Sequence, residues 1–311
     1  MSKEQALYEL IVQNMINGEL PSEFSLPKEK TDNGVVFADG AMDGIFYYHM
    51  GRPNMDADGT NLMIRAVELA AVANLPEADT AFSELGRKCA AINTIDHLQN
   101  YIRQHAQQLP AENIYQTAVY LLLHSANKEA VKYGLCMLEL FSFLDEPVKE
   151  AVRRIGLSDE FTIFAVWNMY GWDNGNEEIF QLIRKVHGWG RIHALEKLEP
   201  ETTEIREWIL REGIQNEVME AYSALTVWEK ADVASRLKRD LTEEEFKNIG
   251  SILAALTDEG PVPGISTIDD AEEQVMRYLS AAGRFKLDQE DRDNISVLQT
   301  WLAEKKKRDS I

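Results

Sequence analysis

The sequence predicts an all-α protein, an α-solenoid in which antiparallel helix pairs stack side by side. Three observations carry this. Apolar residues recur at i, i+3, i+4 spacing over most of the 311 residues, which marks helices with one buried face. Between these stripes stand short segments rich in Ser, Thr, Asp, Asn, Gly and Pro, residues that cap or stop helices. No segment alternates apolar and polar residues between turn signals as a half-buried strand does.

The stretch His187 to Gly213, HGWGRIHALEKLEPETTEIREWILREG, holds the clearest unit. Ile192, Ala194, Leu195 and Leu198 form one stripe, and Pro200 ends it because proline lacks the N–H and clashes inside a helix. Thr202 or Thr203 caps the next helix, Glu204 suits its first turn, and Ile205, Trp208 and Ile209 repeat at helical spacing. Glu207 and Arg211 form an i,i+4 pair on the solvated side, and Gly213 stops the helix. The expectation is an αα-hairpin with facing stripes. Arg191 falls in the middle of the first stripe and His193 on the opposite side. A buried arginine needs a carboxylate or carbonyl partner, so Arg191 is either a structural tie or part of an anion site with His187 and Trp189.

Taken in order, Ser2 with Gln5 suits a capping box for a helix carrying Leu7, Leu10, Ile11 and Met15, ended by Gly18. Residues 21–56 are the least regular part and hold Val35-Val36-Phe37 and Ile45-Phe46-Tyr47-Tyr48 among many Gly and Pro; they suggest a packed segment with one short helix over the end of the stack. Helices are expected over Leu62–Ala73, Thr80–Ile92 and Ile95–Gln108, then after Pro110, from Asn127 to Phe143, from Pro147 to Gly156, over Phe161–Tyr170 and over Asn176–Val186. Beyond the hairpin follow Val218–Trp228, Val233–Leu237 and Phe246–Leu256, the last with a capping box from Thr242 and Glu245. Gly260 to Gly264 is a loop, and Ala271–Ala282 and Ile295–Glu304 complete the chain. Phe161–Tyr170 is apolar nearly all round, which predicts burial between neighbouring pairs or a groove for a partner helix. The expected organisation is a capping segment over 1–56, helical repeats over 57–259 and a helical cap over 260–311, in one continuous structural unit.

The Asp145 to Gly156 segment, DEPVKEAVRRIG, resembles the first helix of a HEAT-like repeat: an acidic residue, Pro, Val, a basic residue, small apolar residues, then Ile and Gly. Gly190 to Leu198 looks like a second copy, with Arg191 at the place of Lys149, 42 positions on. That spacing falls within the roughly 40–47 residues of HEAT and armadillo units. Asn127 with Ala130 to Leu135 is a weaker echo. The resemblance covers about residues 127–213. It implies a right-handed superhelix with a concave binding surface, in which Lys149 and Arg191 would be structural ladder residues. The wording GWGRIHALEKLEP is also similar to an uncharacterised bacterial family, some of whose members carry a limonene hydroxylase label. The sequence has no Gly-rich dinucleotide fingerprint, haem-ligand cysteine loop or iron triad to match that chemistry.

Charge and composition bound the partners. With 52 acidic and 32 basic residues the net charge is −20, which opposes nucleic acid and anionic membranes and favours a basic protein partner. Cys89 and Cys136 lie in apolar helical patterns, as free thiols do, and no apolar run reaches the length of a bilayer span. A cytoplasmic protein is the simplest expectation.

Catalytic signatures are missing: there is no P-loop, GxSxG elbow, HExxH or CxxC pair. Asn54 to Gly59 begins like an EF-hand, but its twelfth position is Arg65 where a glutamate is required, so a helix cap with a turn glycine accounts for it. The basic run Lys305 to Arg308 suits a solvated helix end. These observations lead to a non-enzymatic, protein-binding scaffold with no metal and no cofactor. Its binding residues would be His187, Trp189 and Arg191, with Arg206 and Arg211 on the following helix. The alternative is an enzyme or small-molecule-binding protein with a pocket near residues 34–51, built on Asp39, Asp43 and His49.

Overall fold

Caps and stripes become helices over most of the described residues. The structure is a computed structural model, and it describes residues 5–28, 34–51, 55–260 and 262–308. Among these residues there are seventeen α-helices, one π-helical turn and two 3-10 turns, and no strand beyond an isolated bridge between Ile16 and Glu19. The capping box proposed at Ser2 lies outside the described residues. The chain divides into two compact units, Met1–Lys197 and Leu198–Ile311. The boundary falls in the turn of the expected hairpin, so its two helices are described in separate units.

The first unit holds α1 (Leu7–Asn14), α2 (Ala41–Ile45), α3 (Ala57–Ala71), α4 (Leu75–Lys88), α5 (Ala91–Gln104) and α6 (Ala111–His124). It continues with α7 (Lys128–Leu138), α8 (Glu146–Ile155), α9 (Thr162–Tyr170), α10 (Gly175–Ile183) and α11 (Trp189–Lys197). Consecutive helices pack on each other in α3 with α4, α6 with α7, and α9 with α10. The step from Lys149 to Arg191 runs from α8 to α11 and so encloses three helices, α8 to α10.

At the centre of this unit lies α7. It packs on α4, α5, α6 and α9, and every residue from Ala130 to Leu138 is buried. A helix enclosed on all sides should be apolar all round, yet this one carries Lys132 at 2% exposure. The sequence pattern pointed instead to α9, which is indeed buried from Thr162 to Val166 between α7, α8, α10 and α11, although Tyr170 at its end is exposed.

Several helix starts differ from expectation for local reasons. Asp56 accepts the Gly59 N–H at 2.7 Å and starts α3 at Ala57, which confirms the turn as a cap. Pro76 is tolerated in the first turn of α4, where its missing N–H needs no partner, so α4 begins before Thr80 and ends at Lys88. The break before α5 therefore falls at Cys89-Ala90.

The second unit holds α12 (Thr203–Glu212), α13 (Ala221–Lys230), α14 (Val233–Arg236), α15 (Glu243–Leu256), α16 (Ala271–Ala281) and α17 (Gln289–Arg308). Thr202 caps α12, and both halves of the Thr242–Glu245 capping box form at α15. The core gathers on α15, which packs on α12, α13, α16 and α17 and stacks Phe246 on Tyr278 and Phe285 at 4.6 and 4.7 Å. Trp208 is buried at 8% exposure.

Candidate functional site

The irregular segment Asp39 to Met50 is where the unusual chemistry of the first unit converges. Gly40 opens it with φ +73°, in the left-handed region, and donates its N–H to Glu160 Oε2 at 3.1 Å. The short helix α2 then runs straight into a π-helical turn, Phe46–Met50. Such turns are rare and frequently mark functional sites. One side of the segment meets a charge cluster on α7, another meets α11, and Phe46 lines a cavity beside α5.

The charge cluster is centred on Lys132. Its ammonium lies 2.7 Å from Asp43 Oδ2, 2.8 Å from Glu129 Oε1 and 2.6 Å from Glu160 Oε1. Lys128, one turn earlier, lies 3.3 Å from Asp39 Oδ1 and 3.5 Å from Glu160 Oε2. Three of the carboxylates also hold a backbone N–H: Asp39 takes that of Leu26 at 2.9 Å, Glu160 that of Gly40, and Glu129 that of Ala91 at 2.7 Å. Each thereby ties a separate segment to α7.

Asp43 differs from the other three. It is 1% exposed, its Oδ2 is near Lys132 but off the direction of a hydrogen bond, and Oδ1 has no hydrogen-bond partner. Burial pushes its carboxyl up to about 7; Lys132 pulls the other way, and Glu129 and Glu160 add to the rise. For Lys132 the three carboxylates outweigh burial and hold the ammonium charged. Glu160 is fully engaged, and Lys132 and Lys128 keep it ionised against its burial.

On the α11 side lies an aromatic cluster. The Gly44 Cα abuts the Trp189 indole so closely that a methyl there would overlap the ring. His193, one turn beyond Trp189, is 2% exposed and packs against Tyr48 at 5.9 Å, Tyr47 at 5.9 Å and Trp189 at 6.0 Å between ring centres. Neither His193 ring nitrogen has a hydrogen-bond partner, and burial depresses its basicity to about 3, so the ring is neutral. The Tyr47 and Tyr48 hydroxyls both donate to Glu196, at 2.8 and 3.0 Å. Asp159 Oδ2 accepts the Gly188 N–H at 2.8 Å and fixes the loop into α11.

The third side is a cavity of about 280 Å³ lined by Phe46, Met55, Asp56, Lys88, Cys89, Asn93 and Thr94 together with Ala90. Lys88 is held by Asp56 and Asp58 at 3.1 and 3.2 Å. The Thr94 hydroxyl is taken up by the Tyr133 hydroxyl at 2.7 Å and the Ala90 carbonyl at 3.1 Å. Asn93 is 8% exposed as a residue, and its side-chain amide, which is not stripped of solvent, makes no hydrogen bond to any described residue. Burial keeps the Cys89 thiol protonated, with Asp56 acting in the same direction.

The residues singled out from the sequence fare differently. Asp39 and Asp43 converge on the lysines of α7, whereas His49 is exposed beyond them, its ring 6.4 Å from that of Tyr48. Trp189 is buried and His187 exposed. Arg191 is only half-buried and donates to the Ile183 carbonyl at 3.3 Å, while His193, assigned to the far side, is enclosed. The reason is that α11 is covered on more than one face, by α9 and α10 and by the Tyr47-Tyr48 turn. In the second unit Arg206 donates to the Pro200 carbonyl at 2.9 Å, and exposed Arg211 lies 3.9 Å from Glu244.

Sequence reasoning missed Lys128, Lys132, Glu160, His193 and Asn93. A lysine inside the otherwise apolar run Ala130 to Leu138 was the available signal. Among the described residues no group of three His, Cys, Asp or Glu side chains could hold a metal ion, and no helix is long and apolar enough to cross a membrane. Comparison with protein-family models, with curated proteins and with solved structures finds no match to this chain.

Proposed function

We propose that this protein binds a small molecule in the cavity beside Phe46. The observation that supports it is Asn93: a residue 8% exposed that lines a cavity of about 280 Å³ and whose side-chain amide has no partner among the described residues. An amide that meets only water in a cavity is available to a ligand that offers it a matching donor and acceptor. The cavity sits beside the segment in which the sequence placed an alternative pocket, but its polar groups come from the N-cap of α3, from α4 and from α5 instead of Asp39, Asp43 and His49. In this reading the Lys132 cluster and the Trp189–His193 cluster hold the π-helical turn in place and so shape the wall that Phe46 provides. Binding without catalysis fits best, because Cys89 is protonated and Lys88 is engaged by two carboxylates.

A fragment library screened by ligand-observed NMR against the full chain tests this. Ala90→Leu should fill the cavity and abolish binding of the hits while the thermal midpoint holds. Absence of hits, or hits that the variant retains, refutes the proposal.

A second reading keeps a HEAT-like solenoid that docks a basic protein. It draws on the consecutive helix pairs, the net charge of −20 and a strongly exposed Phe143 at 79%. Cross-linking in native lysate, with Phe143→Ser as control, tests it. Free Cys89 and Cys136 suit a cytoplasmic setting for either reading.

A further inference from the structure

The lining of the Phe46 cavity narrows the chemistry of its ligand; this rests on the small-molecule reading above. Three features act together. First, the Asn93 amide presents a carbonyl acceptor and an NH₂ donor side by side, and such a pair is matched best by a ligand edge that carries a donor next to an acceptor. Thr94 is already satisfied by Tyr133 and Ala90, so Asn93 supplies the free uncharged hydrogen-bonding pair.

Second, Phe46 and Met55 supply an aromatic and a thioether wall, which favour a flat ring that can be stacked. The volume of about 280 Å³ is at or below the lower end of drug-sized pockets, which matches a two-ring heterocycle better than a larger cofactor.

Third, the charge at the cavity opposes anions. The single ammonium of Lys88 is shared between Asp56 and Asp58, which leaves this trio one negative charge in excess. Asp56 Oδ1 is itself occupied by the Gly59 N–H. Among the described lining residues a phosphate would find no free cation and would meet two carboxylates.

We propose that the cavity takes a neutral, flat nitrogen heterocycle of the nucleobase class, read on its donor–acceptor edge by Asn93 and packed along Phe46, and that it rejects the phosphorylated form. The edge formed by the adenine N6 amine and N7 is the pattern that an asparagine amide pairs with bidentately.

Isothermal titration of the full chain with adenine, adenosine, AMP and benzimidazole tests the class. Adenine and adenosine should bind, and AMP at least about tenfold more weakly. Benzimidazole, which keeps the flat two-ring shape but lacks the exocyclic amine, should lose about tenfold or more, equivalent to roughly 1.4 kcal/mol. Asn93→Leu should remove the preference for adenine over benzimidazole, and Asn93→Asp, which keeps the size but loses the donor, should weaken adenine as well; circular dichroism confirms that both variants fold. AMP binding as tightly as adenine overturns the proposal, as does an Asn93→Leu variant with unchanged selectivity. If benzimidazole binds as well as adenine and Ala90→Leu blocks both, the cavity reading stands and the nucleobase assignment falls. If none of the four binds while the fragment screen does find ligands for the cavity, again only the assignment falls; if that screen is empty as well, both fall.

Discussion

Replacing Lys132 by methionine removes the one fully buried cation among the described residues of the first unit while nearly keeping its volume. The three carboxylates around it lie at 2.6–2.8 Å. At an effective dielectric of 20, each such contact is worth about 6 kcal/mol of Coulomb attraction before desolvation. The desolvation of the ammonium and the mutual repulsion of the carboxylates offset most of this. What remains on deleting one partner of a buried ionic cluster is about 3–5 kcal/mol, because the surviving charges stay buried without compensation. Lys132→Met should therefore lower unfolding free energy by that amount at pH 8. The loss should shrink as pH falls, since native carboxylates without their cation bind protons more readily than those of the unfolded chain. Adding Asp43→Asn, which deletes the carboxylate with no backbone tie, should recover part of the loss. Urea unfolding followed by circular dichroism at pH 5.5 and 8 measures the effect, and hydrogen exchange of peptides from α7 assigns it to this unit. A loss below about 1 kcal/mol, or one independent of pH, refutes the picture of a cluster held by charge.

Asp43 and His193 should pull the pH dependence in opposite directions. The Asp43 carboxyl is raised from 3.8 to about 7, so the native state holds an extra proton in that window and stability falls as pH rises through it; Asp43→Asn should remove this slope in denaturation curves. His193 is depressed from 6.5 to about 3, so the unfolded state holds the extra proton and stability falls as pH drops through that window; His193→Phe should flatten the acid side. Gly44→Ala should destabilise by about 1–3 kcal/mol because its methyl displaces the Trp189 indole, read as a lower thermal midpoint with altered tryptophan fluorescence; an unchanged midpoint would mean that the indole has room to move. Trp208→Ala should cost about 3–5 kcal/mol in urea unfolding; a change under about half a kcal/mol would place Trp208 outside the core of the second unit.

The all-helical character was legible because it rests on local rules. Asn127 accepts the Ala130 N–H at 3.0 Å, Thr202 caps α12, and Thr242 with Glu245 forms its box, each a bond that spans three residues. Helix starts were less legible. Whether α3 begins at Ala57 or near Leu62 depends on one Asp56 bond, and whether α4 begins before Thr80 depends on a proline whose position in the turn is set by the fold. Within the site, Asp39 and Asp43 stood out as carboxylates in a Gly-rich segment. Their partners did not, since Lys128 lies 89 positions from Asp39 and Glu160 lies 120 from Gly40.

Sequence alone determined that this chain is helical and where most of its helices lie, because capping and periodicity act within one or two turns. Only the tertiary structure decided that α7 is enclosed with Lys132 inside it, that His193 is covered while Arg191 is half-exposed, and that Asn93 faces a cavity. A helical wheel assigns one face to the core and leaves the other to solvent. Which helices acquire a second neighbour, and which polar groups are thereby stripped of water and made to find a partner, depends on contacts between segments a hundred positions apart.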